Sequence, residues 1–349
     1  MSYDEILAEL QSKLTDDIQE NDRFLRKEAE RFAREKNNDG VKAAGQLLVE
    51  NMPEEEVEEI KRITHLDGVR LDVMHKQIVE LIEKHSAIEA KPIAERLYKK
   101  ITVEFKETEK AKFVSTRNPF EDNLMQILFK QDKTLNRAPF DLAVYITTYA
   151  YILTETGSPY DAIPILKRAI EFNPVDCAPM FELAEVYKLL ANKRRLLEIT
   201  RDTIKIASSP VTLARCYANV GYALTDSGDY DDASAFYQAS VMMYPHKMIP
   251  HEMRHLSQLK GTPLRQYTNE EITKIFAKYE MKFGFNPEVI RVASELAAYY
   301  LSEKDIPNAL NTLKMTYNMT RDENIKNIIL KYEPNAEKNS LINDDMNNN

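Results

Sequence analysis

One pattern occurs twice between Ala143 and Lys247, and it constrains the fold more than any other feature of the chain. Gly157, Ala162, Ala169 and Pro174 recur as Gly228, Ala233, Ser240 and Pro245, each 71 positions on. That distance is two periods of about 34 residues with three to spare, and recurrence at such a period marks helical pairs stacked side by side. No single pair can bury its apolar face alone, so the units must stack. Composition agrees. Only 8 Gly against 13 Met, with 43% hydrophobic and 30% charged residues, suits long helices rather than turn-rich sheet. A length of 349 residues is large for one compact core but ordinary for an array that grows by units.

The order of residue types within the period resembles the tetratricopeptide repeat family. There the first helix of each pair (helix A) carries a bulky residue, then Leu-Gly, then Tyr; the second (helix B) carries Ala-x3-Phe and a closing Pro. Repeat one, 143–176, supplies Ile146, Tyr149, Ala150, Leu153, Ala162, Leu166, Ala169 and Pro174. Repeat three, 214–247, is the fullest copy, with Tyr217, Val220, Gly221, Leu224, Gly228, Tyr230, Ala233, Tyr237 and Pro245. Repeat two, 177–210, keeps Met180, Leu183, Ala184 and Tyr187 but places Leu196, Thr200 and Thr203 in helix B. Repeat four, 290–323, has Ala293, Leu296, Ala297, Tyr300, Ala309 and Leu313 without the closing Pro. Trp is absent, so Ile, Met, Tyr and Ala fill the family's Trp position. The small residues at the eighth and twentieth positions let the two helices of a pair approach closely. The resemblance implies an all-α fold, an α-solenoid of helical hairpins with a non-standard hairpin at 248–284, preceded by an N-terminal helical region.

The remaining segments read as helices and links. Tyr3 to Lys36 carries one apolar stripe (Ile6, Leu7, Leu10, Leu14, Ile18), and Asn37-Asn38-Asp39-Gly40 reads as its stop signal. Shorter helices follow to about Val49, from Pro53, from Val69 to His85 after the Asp67-Gly68 break, and from Ile88 to about Phe105. Together 1–112 form an N-terminal helical region, and 113–142 a connecting helix-turn segment with a short helix at Leu124 to Gln131. Thr268-Asn269-Glu270-Glu271 is a helix start, with Gly284 as the stop. The solenoid is expected to run over 143–333, and the Asn-rich tail 334–349 to be disordered.

Charge and cysteine usage exclude some classes. A formal charge of -9 argues against nucleic acid, whose binding draws on Lys and Arg. The densest basic run, Tyr98 to Lys112, is interleaved with Glu104, Glu107 and Glu109 and reads as a solvated face. Cys177 and Cys216 form no disulfide framework, the acidic N-terminus is no signal peptide, and no apolar run reaches a membrane-spanning length. A cytoplasmic, soluble protein without a cofactor is expected.

One short motif bears on catalysis. His251-Glu252-Met253-Arg254-His255 matches HExxH, in which two His on one helical face bind zinc and the Glu activates water. Here Pro250 puts His251 in the first turn, Arg254 occupies a position usually uncharged, and no third ligand has a suitable context. His251 and His255 therefore read as a surface pair, with zinc metallopeptidase the outside alternative, and no enzyme is expected.

In the family this sequence resembles, helix-A residues line a concave groove that holds an extended peptide or a partner helix. Carried over, those positions include Thr147 and Tyr151 in repeat one, Phe181, Glu185 and Lys188 in repeat two, Arg215 and Tyr222 in repeat three, and Arg291 in repeat four, while Asn219 joins Arg215 as a resemblance to the family's clamp for a C-terminal carboxylate. The family's clamp for a C-terminal carboxylate is not matched: Thr147, Tyr151 and Glu182 stand where it has Lys and Asn. The resemblance implies a scaffold or adaptor for a protein or peptide, with homo-oligomer formation open to the N-terminal helices. A bacterial-type signalling regulator, with a peptide-sensing groove and an effector N-terminal bundle, is the alternative.

Overall fold

The computed structural model describes residues 2–35 and 37–336. The expected disordered tail therefore lies, from residue 337 on, outside the described residues. Two compact units divide the chain, one up to Val73 and one from Met74 onward.

The first unit contains α1 (Tyr3–Gln11), α2 (Ile18–Arg34), α3 (Asn38–Glu50) and α4 (Glu54–Thr64), then β1 (His65–Leu66) and β2 (Val69–Arg70). The stretch Tyr3 to Lys36 is two helices rather than one. Asp17 caps α2 by accepting the Gln19 and Glu20 N–H groups, and the buried Asn21 side chain closes the intervening turn, accepting from Thr15 N–H at 2.8 Å and donating to Thr15 C=O at 2.7 Å. The Asn37–Gly40 stretch starts α3 as much as it stops α2, because Asn37 accepts the Gly40 N–H at 3.0 Å. Ile6, Leu10, Leu25, Phe32, Ala43, Ala44 and Leu47 form the core of this unit. Gly40 belongs to it for steric reasons: a Cβ there would stand 2.3 Å from the Phe32 ring. The Asp67-Gly68 break is the tight turn of an antiparallel hairpin, both residues having positive φ (52° and 79°).

Next come α5 (Leu71–Glu83), in which the boundary falls, and α6 (Ala87–Glu104). The segment expected to be a connecting helix-turn also holds two strands: β3 (Ala111–Val114), α7 (Pro119–Leu128) and β4 (Thr134–Arg137) follow in order, with β3 and β4 paired in parallel. Its short helix thus lies earlier than Leu124–Gln131, at the Asn118-Pro119 start, where Asn118 caps Glu121 N–H. Glu121 is buried but fully engaged: it accepts from Arg117 N–H (2.8 Å), Arg117 Nε (2.7 Å) and Asn173 Nδ2 (2.8 Å). Burying a carboxylate is tolerable only with such compensation.

The repeats follow as α8 (Leu142–Glu155) with α9 (Pro159–Phe172), α10 (Cys177–Leu189) with α11 (Lys193–Ile206), and α12 (Pro210–Thr225) with α13 (Tyr230–Met243). α6 packs on α8, and each helix from α8 to α13 packs on the next. The small positions work as the pattern requires. Ala150, Ala162, Ala169 and Ala233 are fully buried, and a Cβ on Gly221 would meet the Tyr237 ring at 2.9 Å. Ser240, in a small-residue slot, donates to the Ala214 carbonyl at 2.8 Å.

Beyond the third pair lie α14 (Ile249–Lys260), ended by Gly261 at φ 72°, and α15 (Asn269–Lys278), opened by a capping box between Thr268 and Glu271. Both pack on α13. α15 stops before Gly284, so 279–286 runs as a link into α16 (Pro287–Ser302), α17 (Ile306–Thr320) and α18 (Glu323–Tyr332). α16 and α17 form the helical pair read as repeat four. Their core, however, is shared with Val114, Leu124, Met125, Val175, Met180 and Ile206, through Val289, Val292, Ala293 and Met319. α16 packs directly on α7, so this pair rests on a helix that precedes the first repeat. The fold is an all-α solenoid with two minor two-stranded sheets.

Candidate functional site

Spacing places Arg215, Asn219, Tyr222 and Asp226 on one face of α12, because residues three and four apart lie over one another. The same rule aligns Phe181, Glu182, Glu185 and Lys188 on α10, and Thr147, Tyr151 and Thr154 on α8. α8 packs on α10, and α10 meets α12 through side chains. The Arg215 guanidinium stacks over the Phe181 ring at 4.3 Å and its Nη2 lies 3.4 Å from the Glu185 carboxylate. Lys188 Nζ donates to Glu185 at 2.9 Å and sits 5.5 Å from the Tyr222 ring centroid. Five of the expected residues are thus drawn into one continuous surface: Phe181, Glu185, Lys188, Arg215 and Tyr222.

The other four differ. Tyr151 and Tyr222 are the exposed aromatics of this face, at 37% and 41%. Burial, then the charges of Glu155 and Glu182, push the Tyr151 hydroxyl above its ordinary range. Thr147 is half-buried, its hydroxyl committed to the Ala143 carbonyl at 2.7 Å. Asn219 is buried, and its Nδ2 has no acceptor among the described residues. Arg291 lies on α16, where it forks between Glu288 and Glu295. Glu295 lines a cleft of about 460 Å³ between α7 and α16, with Ile127, Val292, Leu296 and Tyr299.

Glu182, which in the sequence figured only as a departure from the carboxylate clamp, is more engaged in the structure. It is half-buried, and burial raises its carboxyl above the ordinary range, with Arg215 opposing and Glu185 and Glu155 adding. The available signal was its three-residue spacing from Glu185, on the same turn of α10.

His251 and His255 are exposed on α14, and among the described residues no three His, Cys, Asp or Glu side chains gather as a metal site. Both cysteines are free thiols; burial raises each. No described helix is long and apolar enough to cross a membrane.

The sequence model of the tetratricopeptide repeat family matches residues 214–247, the bounds read for repeat three. No curated protein matches the chain. Among solved structures it is similar to the C-terminal part of a TPR repeat-containing protein from Cytophaga hutchinsonii, at 11% identity and TM-score 0.36 over 88% of this chain and 98% of that one. It is also similar to the TPR domain of P58(IPK), at 13% identity and TM-score 0.32 over 91% of this chain and 80% of that one. Repeats of this kind are in general protein-interaction units. α12 and α13 form the matched unit, so residues 214–247 are a tetratricopeptide repeat set inside a helical array.

Proposed function

We propose that the protein is a non-enzymatic scaffold or adaptor that binds an extended peptide segment of a partner along the face shared by α8, α10 and α12. The continuous side-chain surface across α10 and α12 carries this reading, with Arg215 stacked over Phe181 and Lys188 set between Glu185 and the Tyr222 ring. Tyr151 and Tyr222 add rigid, exposed apolar area, the kind of side chain that anchors a bound segment. Nucleic acid is not the proposed partner, because the cations of this face are already paired with Glu185.

The test is selection of a displayed library of random peptides, about ten residues long, on the full-length chain. Selected peptides are expected to slow hydrogen exchange in α8, α10 and α12, and to lose binding to a chain carrying both Tyr151→Ala and Tyr222→Ala. Protection elsewhere, or binding indifferent to both changes, rejects the assignment.

A further inference from the structure

We infer that the cleft between β3, the end of α7 and α9 is a second docking site, for an acidic peptide segment of a partner. It shares no residue with the groove proposed above. The cleft has a volume of about 450 Å³, with apolar walls from Phe113, Leu128, Phe129, Ile170 and Pro174. What lies behind the walls holds them in place. Phe113 meets the buried Phe105 ring edge-on at 5.2 Å, and Leu128, Phe129 and Ile170 pack on the core shared by α7, α10 and α16.

Charge selects the partner. Both acids of the cleft are committed, Glu107 to Lys133 at 2.8 Å and Glu171 to Arg168 at 2.6 Å. Lys133 also donates to the Thr108 carbonyl, and Arg168 lies over the Phe172 ring at 4.6 Å. Lys112 on β3 and Lys130 just past α7 line the same cleft, and neither has a hydrogen bond or an ion pair among the described residues. Four cations thus stand with two carboxylates, an excess of two positive charges in a chain of net charge -9. The Lys133 hydrogen bond, then the charges of Lys133, Lys112 and Arg168, hold the Glu107 carboxyl below its ordinary range. An incoming carboxylate finds two unpaired ammonium groups beside apolar walls, where a basic segment would meet like charge. A nucleic-acid strand would bring its phosphates against Glu107 and Glu171 as well, and its affinity needs a longer basic track. The occupant is therefore an apolar residue flanked by Asp or Glu.

The test is selection of a displayed random library, about ten residues long, on the full-length chain carrying Tyr151→Ala and Tyr222→Ala. Those changes remove the groove anchors and leave this cleft intact. Recovered peptides are expected to share Asp or Glu beside an apolar residue and to slow hydrogen exchange in β3, α9 and residues 128–131. Lys112→Gln with Lys130→Gln is expected to weaken them roughly 3- to 30-fold and to flatten their salt dependence, with thermal unfolding unchanged. Basic or uncharged peptides, protection elsewhere, no enrichment, or an affinity unchanged in the double Gln variant overturns the site. So does a thymidine strand of about ten nucleotides that binds as tightly as the selected peptides. The groove reading stands or falls separately, because its selection uses the parent chain.

Discussion

The Tyr217 hydroxyl accepts the Gly284 N–H at 2.8 Å, joining the middle of α12 to the link that follows α15. The ring around that hydroxyl is wholly buried, edge-on to Phe276 at 4.8 Å, and Phe276 stacks on Phe236 at 4.0 Å. Tyr217→Phe keeps this packing and strands one N–H. A loss of about 1–2 kcal/mol is expected, read as a lower urea midpoint with the slope unchanged.

Gly40→Ala sets two effects against each other. Ala gains roughly 1 kcal/mol of helix propensity over Gly, but its Cβ would lie 2.3 Å from the buried Phe32 ring. Overpacking of that kind costs about 1–3 kcal/mol, and at 2.3 Å the upper end applies. Net destabilisation of the first unit is expected, and Gly40→Ala with Phe32→Leu should recover part of it; differential scanning calorimetry of both variants decides.

His75 supplies an acid-sensitive contact. Its ring stacks on Tyr145 at 4.2 Å, and Nε2 lies 2.9 Å from the Thr148 hydroxyl. That hydroxyl gives its own proton to the Val144 carbonyl, so His75 donates through Nε2–H. Burial lowers its pKa from 6.5 to about 4. Between those values the unfolded chain binds a proton that the folded chain does not, so stability is full above 6.5 and falls as pH drops toward 4. The loss is on the order of 3 kcal/mol. Urea midpoints at pH 7 and pH 4.5 should differ less in His75→Gln than in the parent, and a His75 imidazole titrating near 6.5 by NMR would contradict the burial argument.

Asn219→Leu tests the unmatched amide. It removes the unpaired donor at nearly constant volume, so stability to thermal unfolding is expected to rise, by about 1 kcal/mol at most. A variant that loses stability would mean that the amide is satisfied within the protein.

The helical array was legible because its information is local and periodic: Gly221, Ala233 and Ser240 recur at fixed steps, and the family match falls on their repeat. Capping chemistry also reads locally, as at Thr268 and Glu271. The break after Gln11 did not, because Leu10, Leu14 and Ile18 keep helical spacing across it, although Ile18 is half-exposed. β3 and β4 escaped because each has four residues and pairs with a strand across an intervening helix. At the candidate site, helix register showed which residues share a face. That Arg215 would reach Glu185, 30 positions away, is tertiary information.

The seating of α16 on α7 changes how this protein can grow. An open array can gain or lose a unit at small cost, since each unit touches only its neighbours. Here the last pair shares its core with Val114 and Leu124, ahead of the first unit. A duplicated or deleted 34-residue unit would displace that pair from its seat. The number of units is thereby part of the fold, and fraying from the C-terminal pair must first break a contact made some 170 residues earlier in the chain.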